Sequence, residues 1–174
     1  MILGLSAYAR QLSADRASFS ALLDCPLLVW GAPSHADEAQ LFSTLTGPSL
    51  TRPSAAEPLV FLLRKSDSKS NAFAIGVTVG RTENNDVVLD DNSVSRFHAY
   101  FLHDVKGGGW RLVDAESKNG TWLNAVRLSP NQAEKVEDNA QVRFGDIQAT
   151  FMQPETFMAY LEQPRGGSGQ GSNR

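Results

Sequence analysis

Between Gly80 and Asn124 the chain carries three polar clusters: Gly80-Arg81, Ser95-Arg96-Phe97-His98 and Ser117-Lys118-Asn119-Gly120-Thr121, with Asn124 closing the series. A guanidinium is a planar fork of donors, a serine hydroxyl donates one hydrogen bond, and a primary amide both donates and accepts. Brought onto neighbouring loops, a fork-shaped cation, a hydroxyl and an amide can hold an oxyanion. Binding residues concentrate on loops carried by a rigid scaffold, and the spacing here fits that arrangement.

Short apolar runs flank each cluster and must position it. Val77-Thr78-Val79 leads into Gly80-Arg81, and Val87-Val88-Leu89 leads into the acidic turn Asp90-Asp91-Asn92. Phe97 to Leu102 follows Ser95-Arg96, and Trp110 to Val113 leads into the Asp114–Gly120 turn. With Leu59 to Leu63, Phe73 to Val79, Thr121 to Leu123, Val142 to Phe144 and Ile147 to Met152, these are the expected strands. Gly107-Gly108-Gly109 reads as a hairpin connection. Many short strands at close spacing predict a mainly β protein, a sandwich, over residues 57–153.

The flanks read differently. Leu5, Tyr8, Leu12, Phe19, Leu22 and Leu23 recur at helical spacing, with Ser13 or Asp15 placed to restart a helix after a break. A short apolar run, Pro26 to Trp30, follows, and Ala36 to Leu45 is compatible with a helix. Gly47 to Ser54 is rich in turn formers and proline, so residues 1–56 are expected to be a small helical segment with a linker. Such a segment is too small for a core of its own and is expected to pack on the next domain or on a partner. Thr156 to Gln163 predicts a short C-terminal helix within 154–163, and the Gly/Ser-rich residues 164–174 a disordered tail.

Composition narrows the functional classes. The 174 residues include 16 Lys and Arg against 19 Asp and Glu, for a formal charge of -3, with no basic run. That leaves no electrostatic footprint for nucleic acid. One cysteine, Cys25, allows no intrachain disulfide and cannot make a zinc site by itself, so no metal or cofactor is expected. No apolar run is long enough to span a membrane, and no basic region with a long apolar core opens the chain. A cytoplasmic protein without membrane contact is the expectation.

The ordered motifs, ending in Phe144-Gly145-Asp146, resemble those of a forkhead-associated (FHA) domain over residues 58–153. The resemblance implies a β-sandwich of about eleven strands whose apical loops bind phosphothreonine in an extended peptide. Carried over position by position, it implies that Arg81 contacts the phosphate and that Ser95 bonds it through hydroxyl and amide. Arg96 and Lys118 would face the phosphopeptide, and Asn119 would bond its backbone. Gly80, His98, Gly120, Thr121 and Asn124 would hold the loops in shape. Three departures stand out: Ala125 where glycine is common after the asparagine, Asn139-Ala140 in place of Gly-Asp, and Ser93 where some relatives are basic.

The expected function is therefore a phosphopeptide-binding adaptor in Ser/Thr kinase signalling, docking onto a phosphothreonine-containing protein such as a Ser/Thr kinase or its substrate. The alternative is a phospho-independent interaction scaffold built on the same sandwich. An enzyme is not expected. Ser95, His98 and Asp114 are the right types for a triad, but no G-x-S-x-G elbow, P-loop, dinucleotide fingerprint or H-E-x-x-H accompanies them. The sequence does not determine the oligomeric state.

Overall fold

Asp15 breaks the N-terminal helical pattern where its short side chain competes with the backbone. Its carboxylate accepts from the Ala17 and Ser18 amides at 3.1 Å each, which ends α1 (Leu5–Ala14) and caps α2 (Arg16–Leu22). The computed structural model describes residues 3–31, 57–65, 76–104 and 107–163. The expected helix over 36–45, the turn-rich 47–54, the 73–75 end of one strand and the 164–174 tail lie outside the described residues.

Two sheets make the sandwich. The seven-stranded sheet runs β1 (Leu3–Gly4), β3 (Leu59–Leu62), β2 (Leu27–Trp30), β12 (Ile147–Met152), β11 (Gln141–Phe144), β8 (Thr121–Leu123) and β9 (Val126–Arg127). The five-stranded sheet runs β10 (Ala133–Val136), β7 (Trp110–Asp114), β6 (Ala99–His103), β4 (Val77–Gly80) and β5 (Val87–Val88). All neighbours are antiparallel except β4 and β5, where Val79 lies opposite Val87. The mainly β sandwich expected from the short apolar runs is the observed architecture.

The N-terminal segment is more than helical. Its Pro26–Trp30 run supplies β2, which pairs with β3 on one side and with β12 on the other. Both β1 and β2 thus belong to the sandwich's own seven-stranded sheet, and 57 is not where that sheet begins. β2 is buried on both faces, which is why it reads as an unbroken apolar run without alternation.

The side-chain period of two divides the apolar residues between two cores. Leu28, Phe61, Ala149 and Phe151 face the five-stranded sheet, where Phe101 stacks on Phe151 with centroids 6.0 Å apart. Leu27, Val29, Val60 and Met152 face outward, beneath α1, α2 and α3 (Pro154–Glu162). Tyr8 meets Phe157 edge-on at 5.6 Å and Phe19 at 6.2 Å, so the helices form a third layer on the outer face of the sheet.

Two turns show how the chain accommodates its departures from the expected pattern. Asn124 and Ala125 both have positive φ, 48° and 67°, as the two-residue turn between β8 and β9 requires. Asn124 adapts to this and accepts from the Gln141 amide at 2.9 Å. Ala125 carries the strain that glycine would not. Ala125→Gly is expected to stabilise the protein by about 0.5–1 kcal/mol, the left-handed penalty less the entropy of the freer chain. Urea unfolding at unchanged slope checks this.

The turn before β11 uses Asn139 at φ 60°, a residue that tolerates the left-handed region. Its neighbour Asp138 caps α3 from a distance, accepting from the Gln153 amide at 2.8 Å and from the Thr156 hydroxyl. Gln153 itself makes no side-chain cap, so this carboxylate takes that role. Asp138→Ala should cost about 1–2 kcal/mol, read as a lower urea midpoint.

Candidate functional site

The loops at one end of the sandwich enclose an open groove of about 880 Å³. Arg81, Ser95, Arg96, Lys118 and Asn119 all line it, so five residues separated by up to 38 positions meet at one place. Thr82, Asn84, Asn92, Ser93, Val94, Phe97, Ala115 and Glu116 complete the wall. Gly80, His98, Gly120 and Thr121 lie behind the groove, and Asn124 is at the β8–β9 turn without lining it.

Backbone pairing draws the loops together. The Arg81 amide donates to the Ser95 carbonyl at 3.0 Å, fixing the end of β4 against the Ser95 loop. Gly80 makes this approach possible: a Cβ there would lie 2.3 Å from the Arg96 carbonyl oxygen. The same carbonyl accepts from the Asn85 side-chain amide at 2.7 Å and from the Thr82 hydroxyl at 2.9 Å. Asn85 is buried and was not singled out from sequence, since an Asn in a polar turn carries no signal of its distant partner.

Ser95 is held with its hydroxyl presented to the groove. Its oxygen accepts from the Lys118 amide at 3.0 Å, which leaves the hydroxyl proton to donate to a ligand. Its amide is already engaged, donating to His98 Nδ1 at 2.9 Å. The amide that the resemblance assigns to the phosphate alongside the hydroxyl is thus engaged within the protein, while the hydroxyl proton stays available. The amide positions the loop instead.

His98 is fully buried and ties two loops to each other. Nδ1 accepts from Ser95, and Nε2 lies 3.0 Å from the Gly120 carbonyl, to which it donates in this tautomer. The ring packs edge-on against Phe144 at 5.8 Å. Burial pushes its pKa down, against the weaker upward pull of the Gly120 carbonyl and Asp114, so the imidazole is held neutral.

A second buried anchor, Asp114, shapes the third loop. Its Oδ1 accepts from the Ser117 hydroxyl at 2.6 Å and the Thr121 hydroxyl at 2.5 Å, and its Oδ2 from the Ser117 amide at 3.1 Å. The turn then passes through Gly120 at φ 89°, where a side chain would be strained. With Ser117 and Thr121 turned inward, Glu116, Lys118 and Asn119 are left exposed. Asn119 Nδ2 donates to the Ser93 carbonyl at 2.7 Å, which orients its amide. Ser93 is itself pinned: its hydroxyl donates to Asp91 at 2.6 Å and accepts from the Asp146 amide at 2.9 Å.

These contacts rule out the triad suggested by residue type. Ser95 meets His98 through its amide, not its hydroxyl, and Asp114 bonds Ser117 and Thr121. The three residues therefore do not form the Ser-His-Asp relay.

Electrostatics gives the groove its character. Among the described residues Arg81, Arg96 and Lys118 form no ion pair, and all three are exposed. Three unneutralised cations beside a donor hydroxyl attract a multiply charged oxyanion, despite the net negative charge of the chain.

Fold and site together define a β-sandwich that presents a cationic groove on its connecting loops. A family model described as FHA domain matches residues 77–145. An oxoglutarate dehydrogenase inhibitor of Corynebacterium diphtheriae is 30% identical over 114 residues, covering 64% of this chain and 75% of that protein. The chain belongs to the forkhead-associated family. The glycogen accumulation regulator GarA of Mycolicibacterium smegmatis is 33% identical over 75 residues, 43% of this chain and 44% of that one. Among solved structures, EmbR of Mycobacterium tuberculosis in complex with a low affinity phosphopeptide is similar at 33% identity and a TM-score of 0.40. That match covers 44% of this chain and 19% of EmbR, so the chain spans less than half of GarA and about a fifth of EmbR.

Proposed function

We propose that this chain is a phosphothreonine reader, an adaptor that docks onto a partner phosphorylated by a Ser/Thr kinase and performs no chemistry on it. The observation that carries the reading is the meeting of Arg81, Arg96, Lys118 and the donor hydroxyl of Ser95 in one groove. A phosphothreonine brings about -1.5 to -2 charges and three strong acceptor oxygens. Arg81 meets it as a bidentate fork, which a lysine does not reproduce. Asn119, oriented through Ser93, supplies an amide for the peptide backbone beside the phosphate.

Magnitudes fit a reversible signalling contact. Hydrogen bonds to charged groups contribute about 1.5–3 kcal/mol each. Three or four of them, less the cost of association, correspond to roughly -8 kcal/mol, which is micromolar affinity. Among the described residues no helix is long and apolar enough to cross a membrane, in keeping with a cytoplasmic adaptor.

Fluorescence anisotropy with matched peptides tests the reading. A phosphothreonine peptide library is compared with its phosphoserine and unphosphorylated counterparts on the full chain. The expected result is binding that requires the phosphate and favours threonine over serine. Equal binding of all three forms would overturn the reader function and leave a phospho-independent scaffold.

A further inference from the structure

Glu116 stands out in a groove otherwise furnished with cations and neutral groups, since among the described lining residues it is the one carboxylate. Resting on the phosphothreonine reading, we propose that Glu116 is a specificity residue that selects a lysine or arginine side chain flanking the phosphothreonine.

The placement of this carboxylate is built. Its Oε1 accepts from the Asn131 side-chain amide at 2.7 Å, and the Asn131 amide donates to the Asp114 carbonyl at 2.8 Å. Asn131 therefore joins the loop after β9 to the turn that carries Lys118 and Asn119. Both residues sit in the left-handed region, Glu116 at φ 56° and Asn131 at φ 61°. That conformation suits asparagine and penalises glutamate, so the side chain at 116 is held there against a local cost.

The charge is also left available. Glu116 pairs with none of Arg81, Arg96 or Lys118, nor with another cation among the described residues. A neutral amide fixes its position without cancelling its charge, and a carboxylate keeps acceptor capacity after one such bond. The Lys118 backbone faces Ser95, whereas Glu116 is drawn toward the 131 loop, so the groove has a phosphate side and an acidic edge. An extended peptide that places its phosphate at the cations passes this edge with a flanking residue. A basic side chain there gains an ion pair, and an acidic one meets like charge.

The test is a positional scan of one phosphothreonine peptide with Lys, Ala or Glu at each flanking position. Wild type should favour Lys over Ala at one position by about two- to fivefold, the range of an exposed ion pair, with the preference shrinking as salt rises. Glu116→Gln should erase that preference, read as the Lys-to-Ala affinity ratio so that any change common to all the peptides, from removing a negative charge beside the phosphate, cancels. Glu116→Lys should reverse it, and Asn131→Ala should weaken it at the same position. A wild-type protein that binds phosphothreonine without any Lys-over-Glu preference would overturn the proposal, as would a preference that survives Glu116→Gln. Absence of phosphate-dependent binding to every peptide would remove the reader function itself, and with it this specificity.

Discussion

Arg81→Ala should reduce the affinity for a phosphothreonine peptide on the order of a hundredfold and leave the fold intact. The expectation follows from two charge-assisted hydrogen bonds lost at once. With about 1.5–3 kcal/mol for each such bond and partial compensation by Arg96 and Lys118, a net loss near 3 kcal/mol remains. Stability should change by less than about 0.5 kcal/mol, because the side chain is exposed and in no ion pair among the described residues. Arg81→Lys keeps the charge and loses the fork, so it should restore only part of the affinity. Anisotropy titrations of the three proteins, with unfolding curves as the control, check the result. An Arg81→Ala protein that binds as wild type would move the phosphate site elsewhere.

The largest structural effect is expected at His98. Its side chain is fully buried, and its two nitrogens serve the Ser95 amide and the Gly120 carbonyl. His98→Ala leaves the Ser95 amide unsatisfied, takes from the Gly120 carbonyl one of its two donors (the Gly145 amide remains at 3.1 Å) and opens a cavity beside Phe144, costing roughly 3 kcal/mol. Thermal melting should fall by on the order of 10 °C. Peptide binding should weaken too, since Ser95 and Gly120 belong to the loops that bracket the groove.

Wild type offers an independent check through pH. Burial lowers the pKa of folded His98 below the ordinary value, about 6.5 in the unfolded chain. The unfolded chain therefore takes up the proton first as pH falls. The His98 contribution is fully present above about pH 6.5 and is lost progressively below it, toward the lowered folded value. In the folded protein the tie to Ser95 is lost only lower still, as pH falls through the folded value, because protonated Nδ1 can no longer accept. Melting temperatures between pH 7.5 and 5, without peptide, should decline more steeply for wild type than for His98→Gln. Parallel slopes would show that His98 does not titrate this way.

Much of the site was legible because its signals are local. Arg81 after Gly80, Ser95 before Arg96, and Lys118-Asn119-Gly120 each occupy a short stretch bounded by apolar strands. The break at Asp15 was legible for the same reason, since a cap acts on the next two or three amides. The alternation of β11, Gln141-Val142-Arg143-Phe144, likewise shows which residues face a core.

Other features depend on partners far away in the chain. β10, Ala133-Glu134-Lys135-Val136, exposes three of its four residues and forms an edge, where charge replaces alternation. β2 is apolar throughout, and a short unbroken run does not reveal by periodicity whether it is strand or helix. Asp138 caps a helix 15 residues on through Gln153, and Asn131 holds Glu116 across 15 residues. Asn85, Asp138 and Asn131 are turn residues by type, and polar turn residues have too many local uses for type to name a distant partner.

Residue order alone was thus enough to specify the sandwich class, the helical flank and the cationic and hydroxyl groups of the groove, because propensity, periodicity and turn chemistry act over a few positions. The folded chain was needed to insert β2 between β3 and β12 and to spend the Ser95 amide on His98. It was needed also to gather three cations, without an ion pair among the described residues, around one hydroxyl. Those outcomes turn on which distant groups win the competition for each donor, acceptor and sheet edge, and that competition is decided only when the segments meet.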